Sequence, residues 1–184
     1  SNIVLRNMHG IKENEHIILA VANAWTANKG LNFVYRLSND LRTNEKIVIV
    51  GVNDRQYKNC KNKYGGRIIP IKRTSSIEEM VSWYQEAGVY INPTLEDTFP
   101  TTNIEALACG TPVVTFETGG STEAIGEGCG MIVPKGNYEQ LELAIRDVLK
   151  CGKKNFSNLC RYKALEYDKE KKFAEYVRVM EENR

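Results

Sequence analysis

Long hydrophobic runs are absent from this 184-residue sequence, and so is a strong excess of charge of either sign. No apolar run approaches the roughly 18 residues of a membrane span, and the start Ser1-Asn2 lacks the charge and apolar stretch of a signal peptide. A formal net charge of +2 gives no general attraction toward nucleic acid or anionic lipid. These absences predict a soluble protein without a nucleic-acid partner, in which any anion-binding site is local.

Signatures of metal binding and of hydrolysis are missing as well. The two histidines, His9 and His16, lie near the start, and no histidine or cysteine spacing fits a zinc site. The sequence has no G-x-S-x-G motif with a suitably placed histidine, so it lacks the groups that a serine hydrolase needs. Five cysteines, an odd number without a C-x-x-C pair, predict reduced thiols and a cytoplasmic location.

What the sequence does contain is a repeated alternation of strand and helix patterns. Apolar, β-branched runs bounded by Gly, Asn or Pro predict six short buried strands. Between them, apolar residues recur at helical spacing. This alternation predicts an α/β fold with a doubly wound parallel, Rossmann-like sheet and helices on both faces. The predicted strands are 17–22, 46–52, 67–71, 89–93, 112–116 and 131–134, and the clearest helical patterns cover 31–41, 77–84 and 104–108.

Residues at the predicted helix ends agree with this alternation. Ser75-Ser76 before an apolar run, with Glu79 three residues on, is typical of a capping box. Pro100 suits a first helical turn, and Gly110 suits the end of a helix. The helix boundaries are therefore predicted independently of the hydrophobic pattern.

We expect one Rossmann-like domain over residues 1–150 and a C-terminal helical tail over 151–184. After Leu149 the pattern becomes a Lys/Glu-rich helix with an apolar stripe, which predicts an amphipathic appendage that can seek a partner domain. The chain does not begin with Met, and we expect that Ser1-Asn2 is a remnant of cloning and that the native protein extends further upstream.

The most informative stretch covers residues 92–120. Asp97 follows the fourth predicted strand, and Glu105 lies eight positions later in the next helix. Because ligands of open parallel sheets bind beyond the carboxyl ends of the strands, both acids are expected at one crevice. A carboxylate only accepts hydrogen bonds, which suits the adjacent hydroxyls of a ribose or a hexose. Backbone donors at the helix start, where the dipole favours phosphate, are expected from Thr98, Phe99, Thr101 and Thr102.

Two further segments lie at the same predicted edge of the sheet. Gly119-Gly120 follow the fifth strand, where backbone N–H groups can approach an anion, although the pair is equally explained as a simple strand-to-helix turn. Lys29 opens the first helix after the first strand and can supply a point charge to a diphosphate. The G-x-G-x-x-G pattern of dinucleotide-binding folds is absent there, which counts against a nicotinamide-dependent enzyme.

Together these residues resemble the donor-site signature of the retaining glycosyltransferases of family four, which have the GT-B fold. In that signature an acid, seven residues and a glutamate precede a G-T-P-V-V stretch and a G-G-x-x-E turn. The resemblance covers nearly the whole chain up to about Leu149. The matching positions are Asp97, Glu105, 110–114 and 119–123, together with 28–30 and 83–93.

The resemblance implies a role for each matching residue. Glu105 would hold the nucleotide ribose, Asp97 would contact hydroxyls of the transferred sugar, and Lys29 would neutralise the leaving diphosphate. The loop with Lys72 and Arg73, after the third strand, matches the place where the family seats the base. From the residues alone, a solvated pair of cations explains that loop nearly as well.

Two positions differ from the family pattern. Asp97 stands where the first acid is usually Glu, so this side chain is one methylene shorter. Asn23 stands six residues before the lysine, where many members carry Arg. Phosphate binding is therefore expected to be weaker, or to borrow a group from another domain.

For the whole enzyme, the resemblance implies transfer of a hexose from a UDP-, GDP- or ADP-sugar to an acceptor hydroxyl with retention of configuration. It implies no metal cofactor and a role in polysaccharide or lipopolysaccharide biosynthesis. An N-terminal acceptor-binding domain of the same polypeptide would face this one, so the chain alone is expected to bind the donor without completing transfer. The full-length protein would be cytoplasmic, with a peripheral contact at the inner face of the cell membrane.

Three alternatives stay open at the level of sequence. The first is a non-catalytic module that binds a sugar nucleotide, and it would contain the same donor site. The second is a nicotinamide-dependent oxidoreductase domain, which the missing glycine motif disfavours. The third is a flavodoxin-like structural or signalling domain without a nucleotide, in which the paired acids would be accidental.

Overall fold

A computed structural model describes residues 2–96 and 100–167 of the chain. Six strands form one sheet in which every neighbouring pair is parallel. All six predicted strands are confirmed, each to within two residues at either end. They are β1 (His16–Val21), β2 (Glu45–Val50), β3 (Ile68–Ile71), β4 (Ala87–Asn92), β5 (Val113–Phe116) and β6 (Gly130–Val133).

The order of the strands creates a crevice in the middle of the sheet. The order is β3-β2-β1-β4-β5-β6, so the chain moves outward from β1 to β3 and then returns to place β4 beside β1. Loops that follow β1 and β4 therefore leave the carboxyl edge in opposite directions and open a gap between them.

Helices connect the strands and cover both faces of the sheet. Helix α2 ends four residues before Leu41, the last apolar position of its predicted pattern. It ends there because the chain tightens into three-residue turns, in which the Asn39 N–H donates to the Arg36 carbonyl and the Asp40 N–H to the Leu37 carbonyl. The helices are α1 (Asn2–Met8), α2 (Leu31–Leu37), α3 (Asp54–Lys63), α4 (Ile77–Glu86), α5 (Thr101–Ala108), α6 (Ser121–Ala124), α7 (Tyr138–Cys151) and α8 (Ser157–Ala164).

The predicted helix ends are confirmed. The Ser76 side chain caps α4 by accepting the Glu79 N–H at 3.2 Å, and the Glu79 carboxylate accepts the Ser75 N–H at 2.7 Å rather than the Ser76 N–H of a full capping box. Pro100 immediately precedes the first residue of α5, and Gly110 follows its end with a φ of +72°, in the left-handed region that favours glycine. These local signals fix where α5 begins and ends, and α5 carries much of the candidate site.

The hydrophobic core is divided by the sheet into two clusters. Along β1, Ile18 and Ala20 belong to the cluster on the first face while Ile17 and Leu19 belong to the cluster on the second, and all four are fully buried. Helices α2 and α7 cover the first face, and α4, α5 and α8 cover the second. Burial on both faces explains why the strands read as continuous apolar runs, and the predicted α/β fold class is confirmed.

The chain after α7 returns to the second face of the sheet. Helix α8 packs against α5 and buries Cys160 completely, whereas Leu159 and Leu165 of the predicted apolar stripe are each 51% exposed. The rest of the predicted tail, 168–184, lies outside the described residues, and the division at residue 150 stays a prediction. Within the described ranges no helix is both long and apolar enough to cross a membrane.

Candidate functional site

Two adjoining cavities lie at the carboxyl edge of the sheet, where the loops after β1 and β4 diverge. Their volumes are about 460 Å³ and about 470 Å³. Both are within the range of small-molecule sites, and they share part of their walls. The residues that line both cavities are Val21, Ala22, Asn23, Thr101 and Thr102.

The first cavity lies between the loop after β1 and the start of α5, and its wall includes Lys29, Asn92 and Pro100. Gly30 brings these two loops together. Its φ is +79°, and a Cβ built there would lie 2.0 Å from the carbonyl oxygen of Pro93. Only glycine allows this close approach, so the loop that carries Lys29 packs directly against the chain that follows β4.

Hydrogen bonds lock the same two loops. The Leu95 N–H donates to the Asn28 carbonyl at 2.8 Å, and the Thr94 hydroxyl donates to the same carbonyl at 3.3 Å. The Asn28 amide in turn donates to Glu96 at 3.2 Å. The lysine next to Asn28 is therefore held beside the segment that leads directly to Asp97.

Trp25 anchors the loop after β1 through two hydrogen bonds. Its indole N–H donates to the Val50 carbonyl at 2.8 Å, and its own carbonyl accepts from the Gln56 side chain at 2.8 Å. Trp25 is only 6% exposed and packs in the core on the first face of the sheet. The tryptophan thus couples the first cavity to β2 and α3.

The second cavity is lined by the chain that follows β3, including Lys72 and Arg73, and by Glu105 of α5. Gly51 also lines this cavity, and it has a φ of +93° and a close approach to the carbonyl of Ala22. The Lys72 ammonium lies 2.5 Å from an Asp54 carboxylate oxygen. This contact raises the pKa of Lys72 and lowers that of Asp54, so both groups stay charged.

Glu105 contributes a carboxylate to the wall of the second cavity. It lies on the exposed side of α5, one turn after Thr101 and Thr102. One carboxylate oxygen, Oε2, accepts a 2.9 Å hydrogen bond from the hydroxyl of Tyr84 on α4. The helix start, the carboxylate and the cations after β3 therefore line the same cavity.

The predicted site residues divide into three groups. Thr101 and Thr102 line both cavities, Lys29 lines the first, and Lys72, Arg73 and Glu105 line the second. Gly119 and Gly120 form the turn before the four-residue α6 and line neither of these two cavities. The remaining three predictions, Asp97, Thr98 and Phe99, lie outside the described residues.

Sequence reasoning missed several residues of the cavity walls. Asn92 ends the otherwise apolar β4 and is 8% exposed, and its side-chain amide donates to Oδ1 of the Asn103 side chain at 2.9 Å. A polar residue at the carboxyl end of a buried strand was a signal that could have identified it. Met80 of α4 lines the second cavity and carried no such signal, because its place depends on how α4 packs.

A metal centre in a protein needs several His, Cys, Asp or Glu side chains grouped around one point. In 2–96 and 100–167 no three His, Cys, Asp or Glu side chains are grouped so that they could hold a metal ion. The expectation of a metal-free site stays a prediction.

Comparisons with known proteins agree with the fold. A model of the family "Glycosyl transferases group 1" matches residues 15–151. A D-inositol 3-phosphate glycosyltransferase of Streptomyces bingchenggensis is 31% identical over 112 residues, which is 55% of this chain and 25% of that protein. The chain therefore spans about a quarter of that relative's length.

Solved structures of low sequence identity share the fold. Sucrose-phosphate synthase from Thermosynechococcus elongatus superposes with a TM-score of 0.74 at 20% identity, covering 97% of this chain and 49% of that one. Anabaena HepE in complex with UDP-glucose gives 0.73 at 15% identity, covering 89% and 46%. The described fold thus corresponds to about half of each of these larger chains.

Proposed function

Because this chain belongs to the glycosyl transferases group 1 family, we propose that it is the donor-binding half of a retaining glycosyltransferase. The described sheet is one Rossmann-like half of the GT-B fold. The proposed ligand is a nucleoside diphosphate sugar, with UDP-, GDP- and ADP-sugars as candidates. The structure of Anabaena HepE in complex with UDP-glucose supports this class of ligand.

One observation carries the proposal: a cation and a carboxylate are held in adjoining cavities on either side of one helix start. Lys29 lines the first cavity, Glu105 lines the second, and Thr101 and Thr102 line both. A nucleoside diphosphate sugar has the matching sequence of groups, with a hydroxyl-rich ribose on one side of an anionic diphosphate. Its elongated shape also matches two connected cavities better than a single round one.

Each group then has a role set by its chemistry. The Glu105 carboxylate accepts hydrogen bonds from the ribose hydroxyls, and Lys72 and Arg73 lie where the base is seated. Lys29 and the N–H groups at the start of α5 face the diphosphate. The sequence-based roles of Asp97 at the hexose, and of Thr98, Phe99, Gly119 and Gly120 near the phosphates, belong to the same proposal.

Catalysis would be mainly electrostatic. As the bond between the sugar and the diphosphate breaks, negative charge grows on the leaving phosphate, and Lys29 with the helix start stabilises it. The acceptor hydroxyl and its binding site would come from an N-terminal domain of the same polypeptide, which closes over the crevice and excludes water. We therefore expect this chain alone to bind the donor and not to transfer the hexose.

In the cell, the proposed enzyme builds a polysaccharide or lipopolysaccharide. Its location would be cytoplasmic, with a peripheral contact at the inner face of the cell membrane. No metal or other cofactor takes part in the proposed transfer.

A thermal-unfolding panel tests the proposal directly. UDP-, GDP- and ADP-sugars are added in turn to the 184-residue chain, with NADH as the control for an oxidoreductase. A ligand present at about 100 times its Kd stabilises the folded state by about 2.7 kcal/mol, which corresponds to a rise of roughly 5–10 °C in Tm for a domain of this size. Stabilisation by one nucleotide class would identify the base, and stabilisation by NADH alone would contradict the proposal.

A non-catalytic sugar-nucleotide module is the second candidate, and one observation favours it. Asn23, at a position where many family members carry Arg, lines both cavities and supplies no positive charge there. Such a module binds the same donor, so binding does not separate the two functions. An assay of hexose transfer by the full-length protein does: no transfer, together with normal donor binding, would favour the module.

A further inference from the structure

Tyr84 is a buried aromatic side chain that contacts the candidate site through a single polar atom. It belongs to α4, is 1% exposed and packs within the core cluster on the second face of the sheet. Its ring meets the Tyr90 ring edge to face, with the centroids 5.6 Å apart. At its far end, the hydroxyl donates to Oε2 of Glu105 at 2.9 Å.

The backbone of Tyr84 is anchored as firmly as its ring. Its carbonyl oxygen accepts from the Thr111 hydroxyl at 2.5 Å and from the Lys153 ammonium at 3.1 Å. Lys153 also donates to the Gln85 carbonyl at 2.6 Å and to the Thr111 hydroxyl at 2.8 Å. These bonds satisfy carbonyl groups at the end of α4 that have no partner within the helix.

The tyrosine is held in its protonated form. Burial, and then the neighbouring Tyr90 and Glu105, raise the pKa of Tyr84 far above its ordinary value. It is therefore a permanent donor near neutral pH. Glu105, by contrast, is an exposed glutamate with several rotatable bonds, and such a side chain loses conformational freedom when it binds a ligand.

We propose that Tyr84 is a positioning residue, which holds one oxygen of the Glu105 carboxylate so that its remaining acceptor sites meet the ribose hydroxyls of the donor. The inference rests on the proposed function, since it assigns the ribose to Glu105. Its physical basis is preorganisation: a rigid, buried donor fixes the rotamer of an exposed acceptor before the ligand arrives. By this inference, a side chain of the domain core contributes to the preference for a ribonucleotide.

The variant Tyr84→Phe tests this inference because it removes one hydroxyl and keeps the ring. Its matched control is Tyr138→Phe. Tyr138 is also buried, and its hydroxyl also donates to a carboxylate, that of Asp40, but it lies on α7 outside both cavities. Affinities for UDP, GDP and ADP are measured by calorimetry beside those for the 2′-deoxy form of each nucleotide.

We expect Tyr84→Phe to bind the preferred ribonucleotide about tenfold more weakly, equivalent to roughly 1.4 kcal/mol. The 2′-deoxy form should lose much less, so the preference for ribose shrinks. Tyr138→Phe should keep wild-type affinity and preference. A general structural defect would weaken binding of the ribonucleotide and binding of its 2′-deoxy form equally, and that result would overturn the inference.

Two further variants complete the test. In a Glu105→Ala background, Tyr84→Phe should cause no additional loss of affinity, because the tyrosine acts only through that carboxylate. Glu105→Asp, which draws the carboxylate back from the Tyr84 hydroxyl, should reproduce the loss of ribose preference even if Tyr84→Phe does not fold. Wild-type binding by Tyr84→Phe, together with weakened binding by Glu105→Ala, overturns the inference alone. Absence of nucleotide binding by the wild-type chain overturns the proposed function as well.

Discussion

The two edges of the sheet use charged side chains in opposite ways. At the amino edge Glu15 and Glu45 are 8% and 4% exposed. The Lys12 N–H donates to Glu15 at 2.8 Å, and the Arg42 N–H donates to Glu45 at 2.9 Å. A cation accompanies each carboxylate, Lys46 beside Glu15 and Arg146 beside Glu45. These charges are satisfied inside the fold and stabilise the turns that enter β1 and β2.

At the carboxyl edge, charged groups line open cavities instead. Arg73 and Glu105 are exposed, Lys29 is half-buried, and all three form cavity walls. A polar group that is buried and paired contributes to the fold, whereas a polar group that lines an open cavity is available to a ligand. The comparison therefore predicts that substitutions at the amino edge change stability, and that substitutions at the carboxyl edge change binding.

The largest effect is expected from Arg146→Ala at the amino edge. This guanidinium contacts Glu45 and Glu142 and donates to the Asp40 carbonyl at 2.7 Å, so its removal leaves Glu45 buried without its cation. We expect the free energy of unfolding to fall by about 3–5 kcal/mol, measured in urea. Glu139→Ala breaks the exposed pair with Arg36 and leaves Arg36 over the Tyr138 ring, so it is the control and should cost below about 1 kcal/mol. Equal losses in the free energy of unfolding would contradict the distinction between buried, paired charges and exposed charges.

Gly30→Ala is expected to affect stability and binding together. The added Cβ meets the Pro93 carbonyl, and the left-handed φ costs about 1–2 kcal/mol in addition. The loop that carries Lys29 must then move, so nucleotide affinity should fall too. Gly10→Ala has a similar φ of +66° at the amino edge with nothing within 4 Å of its Cβ, and should lower stability only. Unchanged nucleotide affinity in Gly30→Ala would contradict the role of the loop contact.

Glu105→Ala should show the reverse pattern, with a change in binding and little change in fold. Loss of hydrogen bonds to a charged group corresponds to roughly 1.5–3 kcal/mol, so we expect nucleotide affinity to fall about tenfold to a hundredfold. The protein should stay folded, as judged by circular dichroism. Glu127→Ala, which removes an exposed glutamate outside both cavities, is the control and should bind normally. Normal binding by Glu105→Ala would remove Glu105 from the site.

Much of the fold was predictable because its signals are local. The six strands are continuous apolar runs, and α4 and α5 carry residues at their ends that favour capping. Helix α3 was not predicted from periodicity, since Cys60 is its one buried residue. A local signal did exist there, because Asn53 and Gln56 form a reciprocal capping box at its start.

The candidate site was less predictable because its geometry depends on contacts between distant segments. The closeness of Lys29 to the loop after β4 arises from a hydrogen bond between Asn28 and Leu95. The orientation of Glu105 arises from Tyr84, which lies 21 residues earlier on a different helix. Neither contact is marked in the sequence by a hydrophobic period or by a motif. Residue types could therefore nominate Lys29 and Glu105, but only packing could give their partners.

An NMR titration of the 184-residue chain with UDP, GDP and ADP tests the central claim most directly, because it reports where a nucleotide binds. The amino edge offers a rival location, a cavity of about 270 Å³ with Lys46 and Lys61 in its wall. We predict that one nucleotide shifts the amide resonances of Asn23, Lys29 and Thr102, and leaves those of Lys46 and Lys61 unchanged. Shifts confined to the amino edge, or none with any of the three nucleotides, would contradict the account.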